Sequence, residues 1–268
     1  MGLIGAPTTL HGSPPWQHRH VIVAKPDHRW PSAGEWLAAG PGARAVDLAV
    51  LGVPTFATSV PTTGSHATPA AVRRALDRLT TWSGSRRIDL ADRIAPWDRG
   101  DVDDPDVVVE GEWRVRTAVE TAAAKARLLV VIGGDNSLTY PAMAGVFEDT
   151  LSQAGLVTID AHHDLREGRG NSTPVRDLIE AGVPGERIVQ VGIADWANSR
   201  SYATEAHARG VTAIGRVEVA DRGVAACMRE ALDMAAGKAG IYVDLDLNAC
   251  DRSVAPACPA SLPGGLSA

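Results

Sequence analysis

Cysteines, long apolar runs and surplus basic charge are all scarce in this chain of 268 residues. The three cysteines form no CxxC pair, which excludes a disulfide scaffold and a zinc finger. No apolar run reaches the roughly 18 residues of a membrane span, and no basic segment followed by an apolar run opens the chain as in a secretory signal. Lys and Arg number 26 against 32 Asp and Glu, which argues against nucleic acid as a partner. These absences predict a cytoplasmic protein without a membrane or nucleic-acid partner.

What is present is typical of a globular protein, with 45% hydrophobic and 22% charged residues. Residues 1–45 are rich in proline and glycine, and they predict an irregular N-terminal extension. Apolar and helix-like segments alternate from there onwards, which predicts a single α/β domain over residues 46–268.

About seven strands are expected in this domain. The clearest predicted strands cover residues 46–53, 128–132, 156–160, 188–193, 211–214 and 240–245. Helices are predicted to begin near residues 68, 138, 173, 199 and 222. Because the strands are apolar throughout rather than alternating, the sequence predicts a mainly parallel sheet that is buried on both faces.

Polar side chains follow three of these strands at the point where each strand ends. GGDN stands at 133–136, DAHHD at 160–164, and DLDLN at 244–248. Ligands bind beyond the carboxyl ends of parallel strands, and this density of acids in a cleft calls for a cation. Carboxylates with imidazole and no thiolate favour Mn²⁺ or a similar divalent ion.

Spacing divides these residues into two sides of an extended chain. Asp160, His162 and Asp164 share one side because residues two positions apart point the same way. Asp246 and Asn248 are related in the same manner, whereas His163 faces the opposite side. A single Asp at a strand end commonly closes a turn or caps a helix, but three such clusters at equivalent positions favour a metal site.

The three motifs resemble those of the ureohydrolases, the family of arginases, agmatinases and formimidoylglutamases. The family motifs read GGDH, DAHxD and SxDxDxxDP, and this chain has GGDN, DAHHD and DLDLNACDR at 244–252. Residues 50–76 resemble the family's first strand, glycine-containing loop and helix. The resemblance covers roughly residues 45 to 268. It implies a three-layer α/β sandwich, two Mn²⁺ ions and a homo-oligomer.

The resemblance also implies a ligand set. Asp160 and Asp246 are expected to bridge the two ions and to activate a hydroxide. The predicted metal ligands are Asp160, His162, Asp164, Asp246, Asn136 and Asn248.

Both asparagines depart from the family pattern. Asn136 replaces a histidine and Asn248 an aspartate, so weaker Mn²⁺ binding is expected. An alternative alignment takes Asp244 and Asp246 as the DxD pair, but it leaves Asp251 too far along the chain. In the favoured alignment, Asp244 replaces a serine of the family.

The substrate side departs as well, because NSTP at 171–174 stands where many relatives have HGTP. His163 is a candidate for proton transfer in place of that missing histidine. Arg166 and Asn171 are predicted to bind substrate, and Arg166 and Arg169 suit an acidic one. The prediction is hydrolysis of N-formimidoyl-L-glutamate to L-glutamate and formamide. Two alternatives are an agmatinase or other guanidino hydrolase releasing urea, and a catalytically impaired member that acts as a binding protein or subunit.

The end of the sequence predicts an unusual sheet. In the family, the last strand lies inside the sheet beside the strand that ends at Asp246. A chain that stops at residue 268 is therefore expected to lack the last strand and helix of the fold, and to leave two neighbouring strands with unpaired edges.

Overall fold

A computed structural model of the chain describes residues 27–267. The predicted irregular extension therefore lies outside the described residues as far as residue 26. Its remainder was wrongly predicted as wholly irregular, because helix α1 spans Ala33–Ala39. The helix begins with a capping box, in which Ser32 Oγ accepts from the Glu35 N–H at 3.0 Å and the Glu35 carboxylate accepts from the Ser32 N–H at 3.2 Å.

The remaining elements alternate along the chain. The strands are β1 (Val46–Val53), β2 (Trp82–Ser83), β3 (Ile88–Asp89), β4 (Pro96–Asp101), β5 (Ala126–Gly133), β6 (Ala154–Ile159), β7 (Ile188–Ile193), β8 (Thr212–Gly215) and β9 (Gly240–Leu245). The helices are α2 (Thr68–Leu76), α3 (Leu90–Arg93), α4 (Glu110–Ala123), α5 (Thr139–Phe147), α6 (Pro174–Glu180), α7 (Arg200–Ala208), α8 (Arg216–Arg222) and α9 (Val224–Ala235). The sequence did not predict α4 or β4.

Seven strands form parallel ladders, but they do so in two sheets. One sheet has the order β4-β1-β5 and the other β8-β7-β6-β9, while β2 and β3 form a separate antiparallel pair. Within the described part of the chain, four outer strands, β4, β5, β8 and β9, each have one edge without a partner strand. One of them, β9, is the strand that ends beside Asp246.

Helices cover both faces of the four-stranded sheet. Leu156 of β6 packs in a cluster with α5 and α6, and the next residue, Val157, packs against α9 on the other face. A third cluster joins β1 to α4 and α5. This is the three-layer α/β arrangement that the sequence predicts.

The prediction of burial on both faces was wrong for the outer strands β5 and β9. Leu128 of β5 is 59% exposed, and Leu245 of β9 is 61% exposed. Leu129 and Val131 of β5 and Asp244 of β9 are partly buried, so only one face of each strand is covered by the described residues.

The helix predicted over residues 222–236 is present as α9, and the sequence did not predict the helix α8 that precedes it. Helix α8 ends at Arg222, and Gly223 has a φ of 81° before α9 begins at Val224. A positive φ is easily adopted by glycine, so this residue permits the change of direction between the two helices. No helix within residues 27–267 is long and apolar enough to cross a membrane.

Candidate metal centre

The three strand-end aspartates share one local turn. Asp135 follows β5, Asp160 follows β6 and Asp246 follows β9. In each, one carboxylate oxygen accepts the backbone N–H two residues further on, at 3.2, 2.7 and 2.8 Å respectively. The turn-closing role common for aspartate is thus real at all three positions, but it occupies only one of the two oxygens.

The second carboxylate oxygen distinguishes Asp135 from Asp160. At Asp135 it accepts from Thr58 Oγ1 at 3.2 Å and Ser59 Oγ at 3.0 Å, so this carboxylate holds the loop after β1. At Asp160 the second oxygen is buried and has no hydrogen-bond partner in the described part of the chain. Such an atom is costly to leave unsatisfied, so the candidate site centres on Asp160.

Four carboxylates crowd around this centre. Burial, followed by repulsion from Asp160, raises the pKa of Asp164 and Asp246 well above the ordinary range. The same two causes raise the pKa of Asp244 to about 7. No Lys or Arg of the described residues pairs with any of the four, and the contact of His162 Nδ1 with Asp160 Oδ1 at 3.3 Å is their one ion-pair contact. A group of acids without a counter-charge fits a bound cation.

Asn248 contacts the ring of His162. The Asn248 Oδ1 accepts the Ala161 N–H at 2.8 Å, which turns its amide nitrogen towards His162 Nδ1 at 3.1 Å. The same Nδ1 lies 3.3 Å from Asp160 Oδ1, so it accepts from Asn248 in one tautomer and donates to Asp160 in the other.

Asn136 is also engaged with protein groups. Its amide nitrogen donates to Asp164 Oδ2 at 2.5 Å, and its oxygen accepts from Thr139 Oγ1 at 2.7 Å. Both asparagine oxygens therefore accept hydrogen bonds from the protein, an arrangement that does not support direct ligation. Within residues 27–267, no three His, Cys, Asp or Glu side chains stand in a ready-made ligand geometry. The predicted ligands lie together, but they contact one another.

Asp164 reaches this cluster through a special backbone conformation. Its φ is 51°, in the left-handed region that aspartate tolerates better than most residues. The Asp164 carbonyl accepts the Arg176 N–H at 3.2 Å, which ties the turn to helix α6.

His163 lies apart from the cluster. Its side chain is buried, with Nδ1 2.6 Å from Gln190 Oε1 of β7, and Gln190 Nε2 donates to the His163 carbonyl at 3.0 Å. This reciprocal pair explains the alternate facing that the sequence predicts. It favours a packing role for His163 rather than proton transfer, because Gln190 already holds the ring nitrogen.

The predicted substrate residues lie on the loop that follows DAHHD. Arg166 is exposed, and no ion pair or side-chain hydrogen bond joins it to other residues of the described range. Arg169 is also exposed, but it faces Glu112 at 3.7 Å. Asn171 is partly buried on the same loop, and Asp251 lies elsewhere, partly buried and accepting a hydrogen bond from the Ser253 hydroxyl.

Asp244 is not among the ligands predicted from the sequence, but the structure brings it close to Asp160 and the other carboxylates of the candidate site. The available signal was its spacing of two residues from Asp246, which puts both carboxylates on one side of β9.

Comparison with known proteins identifies the fold and its relatives. The sequence profile of the arginase family matches residues 46–268. The chain belongs to the arginase family. It is 30% identical to the formimidoylglutamase of Halalkalibacterium halodurans, over 98% of this chain and 82% of that protein.

Solved structures agree with this membership. The crystal structure of formimidoylglutamase from Bacillus subtilis superposes with a TM-score of 0.81 at 25% identity, and the match covers 92% of this chain and 80% of that one. Trypanosoma cruzi formiminoglutamase, solved with Mn²⁺, has a TM-score of 0.78 at 24% identity, and the match covers 88% of this chain and 82% of that one. At that identity the second likeness concerns the fold.

The donors of this arginase-family member fit a hard divalent cation. The carboxylates of Asp164, Asp244 and Asp246 and the imidazole of His162 lie near Asp160, whose second oxygen has no hydrogen-bond partner in the described part of the chain. Such ligands suit Mn²⁺, and a cation would satisfy that oxygen and offset the repulsion among the acids.

Proposed function

We propose that this protein hydrolyses N-formimidoyl-L-glutamate to L-glutamate and formamide, with two Mn²⁺ ions held at the ends of β6 and β9. The observation that carries the proposal is the buried carboxylate cluster with its unpartnered Asp160 oxygen. The formimidoylglutamase relatives, which match over most of the chain, support the choice of substrate.

Asp160, His162, Asp164 and Asp246 would hold the metal. Asp160 and Asp246 directly follow Ile159 and Leu245, which pair in adjacent strands, so both carboxylates would hold the metal from the same edge of the sheet. When bound, the ions supply an activated water near neutral pH and stabilise the charge that develops on the amidine. Asn136 and Asn248 orient Asp164 and His162 through the hydrogen bonds described above.

The reaction adds one water to the formimidoyl carbon. The bond from that carbon to the glutamate nitrogen breaks, and the nitrogen takes a proton to leave as the free amine of L-glutamate. The carbon keeps its other nitrogen and the oxygen of water, which gives formamide. In this proposal His163 packs against Gln190, which holds its Nδ1, and its predicted role in proton transfer stays a prediction.

Arg166 is proposed to bind a carboxylate of the substrate. Its guanidinium is exposed on the loop that leads away from Asp164, and it is free of protein ion pairs within the described range. A guanidinium binds a carboxylate through two parallel hydrogen bonds, which orients as well as attracts the substrate. Asn171, further along this loop, is proposed to contribute a polar contact to the same substrate.

The test measures turnover of three substrates by Mn²⁺-loaded protein: N-formimidoyl-L-glutamate, agmatine and L-arginine. We expect formamide and L-glutamate from the first and no urea from the others. The variant Arg166→Ala should raise the KM for formimidoylglutamate about tenfold while kcat changes little, because it removes binding rather than chemistry. The matched control is Arg86→Ala, at an exposed arginine between β2 and β3, which should leave both constants near wild type.

Two results would contradict the proposal. Urea release from agmatine without formamide production would show a guanidino hydrolase. Turnover of none of the three substrates by protein that binds Mn²⁺ would show that catalysis has been lost, as the two asparagine replacements allow.

A further inference from the structure

Asp244 lies in β9 on the side that faces the metal centre. It precedes Asp246 by two residues, so both side chains leave the strand in the same direction. Val243 precedes Asp244, and Leu245 lies between Asp244 and Asp246. Their side chains leave the strand on the other side, where they are 49% and 61% exposed, respectively. Asp244 therefore points into the protein, towards the covered face of the sheet.

The register of the sheet sets Asp244 beside two unsatisfied atoms. Thr158 of β6 is its partner in the ladder, and Asp160 stands two residues beyond Thr158 on the same face. The Thr158 Oγ1 and the Asp160 Oδ2 are both buried, and neither has a hydrogen-bond partner in the described part of the chain. The side chains of Thr158 and Asp160 are 2% and 1% exposed, respectively.

Two buried atoms without a partner on one face of the sheet indicate a group that the protein residues do not supply. An unsatisfied buried hydroxyl or carboxylate oxygen typically costs about 1–3 kcal/mol, so native structures rarely keep one without a partner. Thr139, whose hydroxyl is near Asp244, already donates to Asn136 Oδ1 at 2.7 Å. No Lys or Arg pairs with Asp244 among residues 27–267.

We propose that Asp244 is a direct ligand of a divalent cation, and that it shares this ion with Asp160. This inference rests on the proposed function, because it concerns the same metal centre. It assigns the fourth carboxylate of the centre to position 244, while the neutral Asn248 holds the backbone at Ala161 and the ring of His162.

A purely structural role for Asp244 makes a different prediction. A buried acid that the fold requires would stabilise the metal-free chain, so its removal would destabilise that chain. A metal ligand without a counter-charge repels its neighbours when no ion is bound, so its removal leaves the metal-free chain equally stable or more stable.

The experiment compares full-length wild type with Asp244→Asn, first stripped of metal and then titrated with MnCl₂. Free Mn²⁺ is followed by its electron paramagnetic resonance signal, and urea unfolding of the metal-free proteins is measured in parallel. We expect the wild type to bind two ions, and Asp244→Asn to bind one of them at least tenfold more weakly. Its urea midpoint without metal should equal or exceed that of the wild type.

Asp233→Asn, at an exposed acid of α9, is the matched control and should bind Mn²⁺ as the wild type does. If Asp244→Asn does not fold, Asp244→Ser is measured in the same way. Unchanged Mn²⁺ binding, a wild type that binds no Mn²⁺, or a lower urea midpoint of both metal-free variants would overturn the inference.

The two proposals fail in different ways. A wild type that binds two ions but produces no formamide, beside a variant that loses one ion, contradicts only the proposed substrate. A wild type that produces formamide, beside a variant that binds both ions with unchanged affinity, contradicts only the role of Asp244.

Discussion

Gly134, in the GGDN motif of the candidate metal centre, shows how closely two backbone segments approach each other. It lies between β5 and Asp135, and a Cβ at this position would come within 2.0 Å of the Thr55 carbonyl oxygen and 2.4 Å of the Thr55 nitrogen. Thr55 in turn accepts the Asp135 N–H through its carbonyl at 2.9 Å. The second glycine of GGDN therefore allows two backbone segments to approach, which no other residue type permits without a shift.

We predict that Gly134→Ala destabilises the protein by about 1–3 kcal/mol, because the added methyl group must displace the Thr55 backbone. Urea unfolding followed by circular dichroism measures the change. Gly64→Ala is the control, since a Cβ at Gly64 meets nothing within 4 Å and its φ is −96°. Equal midpoints for the two variants would show that the Thr55 segment yields without cost.

At the scale of elements, α2 is attached to β4 by one side chain. Arg73 donates to both oxygens of Asp98 at 2.8 Å each, and to Asp101 Oδ1 at 2.5 Å. Burial raises the pKa of Asp98, but the hydrogen bonds from Arg73 outweigh it, so this pKa lies below its ordinary value. The helix that begins after the glycine-containing loop is thereby fixed against the edge strand of the three-stranded sheet.

Replacement of Arg73 by Lys should weaken this attachment, because a single ammonium cannot bind Asp98 in a bidentate manner. We expect a loss of about 1 kcal/mol at pH 7. A lowered folded pKa contributes stability above the unfolded value near 3.9, and this contribution is lost as the pH falls through the folded value. The difference from wild type should therefore shrink below about pH 4.

Unfolding midpoints of wild type and Arg73→Lys between pH 7 and pH 3 test this expectation. Arg74→Lys serves as the control because Arg74 is exposed on the same helix. A difference that stays constant across this pH range would mean that packing of the Arg73 stem, rather than the ion pair, is responsible.

Elements that depend on local pattern were predictable from the sequence. Strands β1, β7 and β9 have the predicted bounds, since each is a short apolar run that ends at Pro or at polar residues. Helix α1 was missed although Ser32 and Glu35 carry a capping box, because the surrounding prolines and glycines dominate the pattern. Strand β4 was missed because its sequence, PWDRGD, is polar.

The site was predictable in its motifs but not in its contacts. The spacing within DAHHD places Asp160 and His162 together because both lie on one short segment. The hydrogen bond from the Ala161 N–H to Asn248 joins residues that are 87 positions apart in the sequence, and the His163–Gln190 hydrogen bond joins residues that are 27 positions apart. Such contacts depend on the register between strands, which the local pattern of one segment does not contain.

For the whole molecule, the most unusual surface lies along β5 and β9, two of the four outer strands of the sheets among the described residues. Leu128 of β5 and Leu245 of β9 are mostly exposed, and each strand has free backbone groups on one side among the described residues. Exposed apolar edges of this kind promote pairing with other chains.

We predict that Leu128→Lys lowers self-association of the chain, because a charged side chain on an edge strand opposes edge-to-edge pairing. Light scattering during a temperature ramp measures the effect. Val217→Lys adds the same charge at a residue of α8 with 61% exposure, so it separates an edge effect from a change in net charge. Equal scattering by the two variants would argue against association through β5.

The division into two sheets has a consequence for biosynthesis. The strands of one sheet all lie within residues 46–133, and those of the other all lie within residues 154–245. Each sheet is therefore encoded by an uninterrupted stretch of message. The first sheet can complete its ladders while the ribosome is still translating the second, since domains and subdomains fold as their residues emerge. The candidate metal centre draws its aspartates from the ends of β6 and β9, so it can assemble only after the ribosome has translated the strands of the second sheet.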